Sequence, residues 1–518
     1  MTVSLTQCLH RALQQYPDRL ATIHASRRRT YREIHARVAS LAGALRAMGV
    51  SKGDRVGILS LNSDRYLEVY LAVFWLGAAI NPANTRWSAH ELAYSFRDCD
   101  TRVLFIDDAH LPLADAVHAE APCVQQWIYL GDAPCPAAMQ AYEPLMATAP
   151  VDDVGAADRD LAAVFYTGGT TGFPKGVQLS HESIMGAALN RLAQGHPVGP
   201  VYLHAAPLFH LAGAMGVFWQ FVSGGTHMVI KSFTPLDFMQ AVQQEQVSDT
   251  LLVPTMVQMV LDHPEFSAYD LGSLKFLVYG ASPISETLLD RATTAFPDLQ
   301  FMQGYGMTEL SGCVTYLGPE FHTPAGRARG KLRSAGRAAP MAEVKIVDSE
   351  GQELPRGTVG EIAARGMSTM LGYWNKPEET ARTLRDGWVH SGDGAYMDED
   401  GFIFIVDRLK DMIVSGGENV YSAEVENAVL KHPAIASCAV IGVPDDKWGE
   451  RVHAVVVLKP GMDCTPDALS THCKNLIAGY KCPRSIEFRS ELPLSGAGKI
   501  MKNRLREAHW SQANRRVN

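Results

Sequence analysis

The sequence predicts an α/β fold: a large N-terminal domain of helix-covered, mostly parallel sheets with a β-rich subdomain, then a small α+β C-terminal domain. Three observations predict it. The first four hundred residues alternate helical and strand patterns, as parallel sheets flanked by helices do. From about Lys345 the pattern changes to shorter β-rich units with Gly turns, "AEVKIVDSEGQELPRGTVGEIAARG". A second compact pattern begins near "DRLKDMIVSGGENV". At 518 residues the chain is too long for one ordinary core. The charged segment Asp407–Asp411 between two apolar strands marks the boundary, giving domains 1–409 and 410–518.

Each element has a local reason. At the N-terminus, "MTVSLTQCLHRALQQYPDRL" lacks the apolar core of a signal peptide. Leu5, Cys8, Leu9 and Leu13 fall instead on one helical face. Thr30 and Glu33 stand at capping-box spacing, followed by Ile34, Val38, Leu41 and Leu45 at helical intervals. "DRVGILSL" reads as a strand, "SDRYLEVYLAVFWLGAAI" as a helix, and "TRVLFID" and "LAAVFY" as strands. The segment Leu192–Ile230 carries no Asp, Glu, Lys or Arg, but Gly, Pro and His interrupt it. It predicts buried strands and loops lining a pocket rather than a membrane span. Beyond Tyr421 the pattern gives a helix, strands at "SCAVIGV" and "RVHAVVVL", a helix over Pro466–Ala478, and a terminal segment "SGAGKIMKNRLRE".

Composition excludes several classes. The net charge of -8 provides no electrostatic footprint for nucleic acid. Nine cysteines without a CxxC pair read as reduced thiols in a cytoplasmic protein. Cys473, next to His472, and Cys482 stand at a spacing that matches no zinc pattern. No integral membrane association is expected, and Arg27–Arg29 reads as a solvated loop.

The chemistry concentrates in "YTGGTTGFPKGVQLSH", Tyr166–His181, which leaves the C-terminal end of an apolar strand, where α/β sheets gather ligands. Thr167, Thr170 and Thr171 supply hydroxyls, Gly168, Gly169, Gly172 and Gly176 allow backbone amides close to an anion, and Lys175 adds charge. In the common nucleotide loop glycine precedes the lysine and Ser or Thr follows it; here Pro174 precedes Lys175 and Gly176 follows. Spacing alone leaves two readings open, a phosphate site and a Gly/Thr turn.

Four further motifs follow in order: "GYGMTE" at Gly304–Glu309, "SGD" at Ser391–Asp393, "DRLKDMIVSGGENV" and "GAGK". With the loop, and over essentially the whole chain, they resemble the adenylate-forming (ANL) superfamily of acyl-CoA synthetases, peptide-synthetase adenylation domains and beetle luciferases. "DRLKDMIVSGGENVYSAEVE" and "PDDKWGERV" are most similar to acyl- and aryl-CoA ligases. The resemblance implies ATP, Mg²⁺ and coenzyme A. A carboxylate attacks the α-phosphate, pyrophosphate leaves from the loop, and the acyl group passes to CoA once the mobile C-terminal domain rotates about Lys410. A carboxylate needs no general base, so catalysis is expected to be electrostatic and positional.

The same resemblance assigns roles. Glu309 corresponds to the Mg²⁺ ligand and Thr308 to an α-phosphate contact. Gly280, Ala281 and Ser282 correspond to the adenine-packing segment after Tyr279, with Tyr305 opposite; for both tyrosines a core role is an equal reading. Asp393 corresponds to the ribose acceptor, Arg408 to a ribose–phosphate contact and Lys499 to the catalytic lysine, while Lys502 reads as a solvated charge. Gly416 and Gly417 correspond to the pantetheine tunnel, Trp448 to a CoA contact, and Arg86, Lys481 and Arg484 to its phosphate contacts. His210 corresponds to the mouth of the acyl site, with a hydrogen-bonded structural histidine as the rival reading. Gly169 stands where many relatives have Ser or Thr.

Phe209, Leu211, Ala212, Met215 and Trp219 make the expected acyl pocket apolar, and Gly304, Gly306, Ala212 and Gly213 suggest room beyond acetate. No cation stands within Leu192–Ile230 for a second carboxylate. A monocarboxylic fatty or aromatic acid is the expected substrate. The alternatives are a free-standing adenylation enzyme loading a carrier protein and a nucleotide-binding sensor without turnover. Oligomeric state stays open, a homodimer included.

Overall fold

The computed structural model describes residues 2–167, 174–195, 200–280, 284–408, 411–415, 418–445, 447–495 and 500–510, except the side chains of Arg408 and Asn419. The chain forms two units, Met1–Ala281 with Ala292–Val344 and Ala364–His390, and Ser282–Arg291 with Lys345–Ala363 and Ser391–Asn518.

In the first unit the expected capping box closes at Thr30: its side chain accepts from the Glu33 amide, Glu33 caps the Thr30 amide, and the helix Tyr31–Ala47 follows. The helix Asp64–Trp75 is buried along its whole length. Its acids are neutralised where the sequence suggested a solvated arginine loop. Arg27 and Arg29 both pair with Asp64, and Arg28 meets Glu245 at 2.6 Å. These arginines lie in the strand Arg27–Thr30 and are committed to ion pairs within the fold.

The elements that frame the site are β1 (Leu161–Thr167), β2 (Lys175–Ser180), α1 (His181–Leu192), α2 (Leu211–Ser223), β3 (Phe276–Gly280), β4 (Gln300–Met307) and β5 (Gly312–Leu317). A nine-stranded sheet runs from Arg337–Ala338 through β5, β4, β3, Asp249–Leu252, Val201–His204, Thr226–Val229 and Leu20–His24 to Arg27–Thr30. Its central pairs are parallel and its two edges antiparallel. An eight-stranded sheet runs from Gly372–Tyr373 through β2, β1, Ala79–Pro82, Arg55–Leu59, Val103–Ile106 and Gln126–Tyr129 to Gln140–Ala141. Strands covered on both faces read as continuous apolar runs, and Val103–Ile106 and β3 are buried at every position. This is the helix-covered, mostly parallel architecture that the alternation predicted.

In the second unit, Ile435–Asp445 pairs antiparallel with Gly449–Leu458, and Ser485–Phe488 adds in parallel. Val425, Val429, Val440, Val452, Val456 and Leu469 form its core. The β-rich subdomain expected after Lys345 is a five-stranded sheet of Ala342–Val347, Gly360–Gly366, Trp388–Met397, Leu384–Arg385 and Ile403–Arg408. All nine cysteines are unpaired thiols, and burial raises Cys473 to about 11, consistent with inert core thiols. Among the described residues no helix is long and apolar enough to cross a membrane.

Candidate active site

β1 and β2 form an antiparallel hairpin in which Thr167 faces Lys175, and the Thr167 hydroxyl donates to the Lys175 carbonyl at 3.5 Å. Gly168, Gly169, Thr170, Thr171 and Gly172 lie outside the described residues. Gly176 answers to packing rather than to an anion: a Cβ there would meet Val164 Cγ1 at 2.7 Å and Trp374 Cβ at 3.2 Å.

A short strand, Gly372–Tyr373, pairs with β2 through Gly372↔Gln178 and Tyr373↔Val177. Trp374 locks it in place, its amide donating to the Gly176 carbonyl and its indole N–H to the Asp98 carbonyl, both at 2.7 Å. This register sets the Tyr373 ring 5.0 Å from Lys175 Nζ and its hydroxyl 2.7 Å from Glu309 Oε1. Glu309 sits in the 3-10 turn Thr308–Leu310 at the end of β4, only 7% exposed, and its carbonyl accepts from the Met370 amide at 2.9 Å. No described residue donates to Glu309 Oε2. Burial and the adjacent Glu309 charge raise Tyr373 well above the ordinary phenol range, so it remains a donor. Lys175, Tyr373 and Glu309 thus form one cation–aromatic–carboxylate relay. Nothing in the sequence reading singled out Tyr373.

Other expected residues fall differently. Tyr279 is a core residue, 1% exposed, its hydroxyl 2.9 Å from His322 Nε2, so its ring is not available to cover adenine. Gly280 pairs with Gly304, and a Cβ there would stand 2.3 Å from the Gly304 carbonyl oxygen; Ala281 and Ser282 lie outside the described residues. The room read from glycines is occupied: a Cβ at Gly304 would meet Cys313 Sγ at 2.6 Å, at Gly213 the Pro207 carbonyl oxygen at 2.2 Å, and one at Gly306 would overlap the Gly312 carbonyl oxygen. Tyr305 is half-buried on β4 opposite Thr315. His210 is the N-cap of α2, its Nδ1 accepting from the Ala212 amide at 3.3 Å, which is the structural role weighed against a place at the mouth of the acyl site. Arg86 is exposed before the helix Ala89–Asp98.

In the second unit Asp393 faces Arg408 across an antiparallel pair, and its amide donates to the Ser391 hydroxyl at 3.1 Å. Lys410, Gly416, Gly417 and Lys499 lie outside the described residues. Trp448 is already stacked, with the Arg484 guanidinium 4.5 Å and Lys447 Nζ 4.8 Å from its ring. Lys481 pairs with Glu424 at 2.8 Å. Lys502 is not the solvated charge expected. It is half-buried, 2.7 Å from Glu426 and donating to the Ser422 hydroxyl at 2.5 Å.

A family model described as "AMP-binding enzyme" matches residues 9–374, and "AMP-binding enzyme C-terminal domain" matches 424–499. The chain belongs to the AMP-binding enzyme family. Within this family it is 39% identical to a feruloyl-CoA synthase of an Amycolatopsis species, over 96% of this chain and 97% of that one. It is 36% identical to the fatty acid–[acyl-carrier-protein] ligase ScoC of Streptomyces coeruleorubidus, over 98% and 96%. The anthranilate CoA ligase AuaEII in complex with anthranoyl-AMP superposes with a TM-score of 0.89 at 26% identity, covering 98% of this chain and 97% of that one. The adenylate-forming superfamily, its acyl-CoA synthetase branch and the fold expected from the motifs are thereby borne out.

Proposed function

We propose that this AMP-binding enzyme is an acid–thiol ligase with two half-reactions. A monocarboxylate oxygen attacks the ATP α-phosphorus, the bond to the β-phosphate oxygen breaks, and acyl-adenylate and pyrophosphate result. The thiolate of CoA then attacks the acyl carbon and AMP leaves. The observation that carries this reading is the Lys175–Tyr373–Glu309 relay at the mouth of the hairpin loop. A polyphosphate needs cationic charge, and a carboxylate beside it needs a cation between. Glu309 fits Mg²⁺ as a hard oxygen donor, with Oε1 held by Tyr373 and Oε2 left to a metal. Bound there, the ion would neutralise triphosphate charge.

The remaining roles stay part of the proposal. Thr167 with the loop residues 168–173 and Lys175 would hold the leaving pyrophosphate, Thr308 the α-phosphate, and Asp393 and Arg408 the ribose. Lys499 would offset repulsion between the two reacting anions. Residues 410–518 would rotate as a domain about Lys410 to bring Gly416 and Gly417 to pantetheine. Unpaired thiols throughout favour a reducing, cytoplasmic setting. The similarity to a carrier-protein ligase supports a second reading, transfer to a carrier protein instead of CoA.

Pyrophosphate release with ATP and Mg²⁺ across fatty and aromatic acids, with and without CoA, tests both. Multiple turnover only with CoA is expected. A single burst unaffected by CoA but relieved by a carrier protein would favour the second reading, and no release with any acid would remove ligation altogether.

A further inference from the structure

His453 lies on the strand Gly449–Leu458, in register with Ser485 on the neighbouring strand Ser485–Phe488. Residues two apart on a strand share a face, so Glu487 projects on the same side as Ser485. The helix Lys502–Trp510 covers that face. Leu505 packs with Ile441, Val455 and Leu492, and the Trp510 indole donates to the Gly442 carbonyl at 3.0 Å. His509 stands one turn after Leu505, on the same side of the helix.

The three side chains meet. One ring nitrogen of each histidine and one Glu487 oxygen lie within 4.8 Å of one another. The His453 and His509 rings are edge to face, with centroids 4.9 Å apart, and His453 Nε2 is 3.5 Å from Glu487 Oε2. His453 is only 6% exposed, and its Nε2 has no hydrogen-bond partner. Its Nδ1 is 2.7 Å from the Ser485 hydroxyl, and Arg489 Nε donates to Glu487 Oε1 at 2.5 Å. Ser485 and Arg489 thus hold the outer atoms of two groups whose inner atoms, Nε2 and Oε2, face one another without a hydrogen bond. Buried polar atoms are nearly always paired, and an imidazole lone pair opposed to a carboxylate needs a cation between them. Glu487 and His509 are half-exposed, so solvent reaches the cluster.

We infer that His453, Glu487 and His509 form a zinc site that clips the C-terminal helix to the sheet of the second unit. Two imidazoles and a carboxylate, with water in the fourth position, are an established ligand set for Zn²⁺. Tetrahedral bonds of about 2.0–2.2 Å put ligand atoms about 3.4 Å apart. His453 and Glu487 already stand at that separation, and His509, near the end of its helix, closes the remainder. With its proton on Nδ1 toward Ser485, His453 presents the Nε2 lone pair to the metal, the orientation that partners of ligating histidines impose. Mg²⁺ prefers an octahedron of oxygens, so the ion of the ligase reaction does not compete. The inference is independent of the ligase reading. Because Lys499 stands between Glu487 and His509 in the sequence, the ion would also anchor both flanks of the segment that carries it.

The test uses the full-length chain, stripped by chelator and given Zn²⁺ or Co²⁺ alone. One equivalent of Zn²⁺ should survive dialysis, and Co²⁺ should show the visible absorption of a tetrahedral ion. Glu487→Gln and His509→Ala, both at half-exposed positions, should each lose that equivalent and that absorption. Ser485→Ala, which frees the His453 ring, should weaken binding about 10- to 100-fold. At a Zn²⁺ concentration about 100 times the Kd, openings that break the site become about 10²-fold rarer. Amide exchange over Ser485–Phe488 and Lys502–Trp510 should slow by up to that factor in the wild type and not in the two ligand variants. Absence of tetrahedral Co²⁺ absorption would overturn the inference and leave the cluster closed by a proton alone. Equal binding by the wild type and both ligand variants would overturn it too, and would move the metal to the free thiols.

Discussion

The Tyr373 hydroxyl donates to Glu309 Oε1 at 2.7 Å, fixing one carboxylate oxygen while Lys175 Nζ lies 5.0 Å from the centre of the phenol ring. A carboxylate tied at one oxygen presents the other in a fixed direction, which is what a metal on a polyphosphate requires. The tie comes from a strand of only two residues, Gly372–Tyr373, whose register against β2 is set by Trp374.

Tyr373→Phe should therefore lower kcat for pyrophosphate release roughly 10- to 100-fold, the kinetic equivalent of about 1–3 kcal/mol for one lost buried hydrogen bond. The Mg²⁺ concentration for half-maximal rate should rise with it. Stopped kinetics over a Mg²⁺ titration measure both, and an unchanged Mg²⁺ dependence would show that Tyr373 does not orient the metal ligand.

Lys499→Ala separates the half-reactions. Loss of one preorganised donor costs on the order of 10²–10³ in rate, so adenylation should fall by that factor. Thioester formation from supplied acyl-adenylate should persist. Equal loss in both half-reactions would remove Lys499 from its proposed place between the carboxylate and the α-phosphate.

What was legible in the sequence was what local pattern encodes. The Thr30–Glu33 capping box and the buried strand Val103–Ile106 each follow from residues within a few positions of one another. Glu309 was singled out through its motif. Tyr373 was not, because its chemistry arises from strand register linking it to Val177 and from a contact 64 residues back. Gly304 and Gly306 suggested space, but neighbouring strand atoms supply the reason for glycine, and no local pattern reports that distance. Lys502 was read as a solvated charge and Tyr279 was left between two roles for one cause: burial of a polar side chain is decided by partners remote in sequence, Glu426 and His322.

Lys502 makes this measurable. Burial alone would lower its ammonium, but the Glu426 and Asp407 carboxylates outweigh that and hold it above its ordinary value. Lys502→Met leaves the Glu426 carboxylate without its cation, a change that typically costs about 3 kcal/mol. Hydrogen exchange of the full-length chain should show faster opening of Ser422–Leu430, and Lys502→Met with Glu426→Gln should recover much of the loss. A solvated surface lysine would change stability by less than about 0.5 kcal/mol, so the two accounts predict different exchange rates.

Acid sensitivity should originate in the first unit. Burial lowers His204 to about 3 and His181 and His322 to about 4, and burial with the adjacent His204, whose Nε2 is 3.0 Å from its Nδ1, holds His227 well below the ordinary imidazole range. In the unfolded chain these imidazoles titrate near 6.5. The unfolded state therefore binds more protons below that pH, and stability declines as pH falls. The contribution is complete above about pH 6.5 and is lost toward pH 4, each imidazole removing about 1.4 kcal/mol per pH unit where its two states differ by a proton. Denaturant melts at pH 7.5, 6 and 5 should show a steep decline for the wild type. His204→Gln, polar but non-titrating, should flatten that limb by one proton while lowering the plateau. An unchanged slope would assign the acid limb to groups outside the histidine pair.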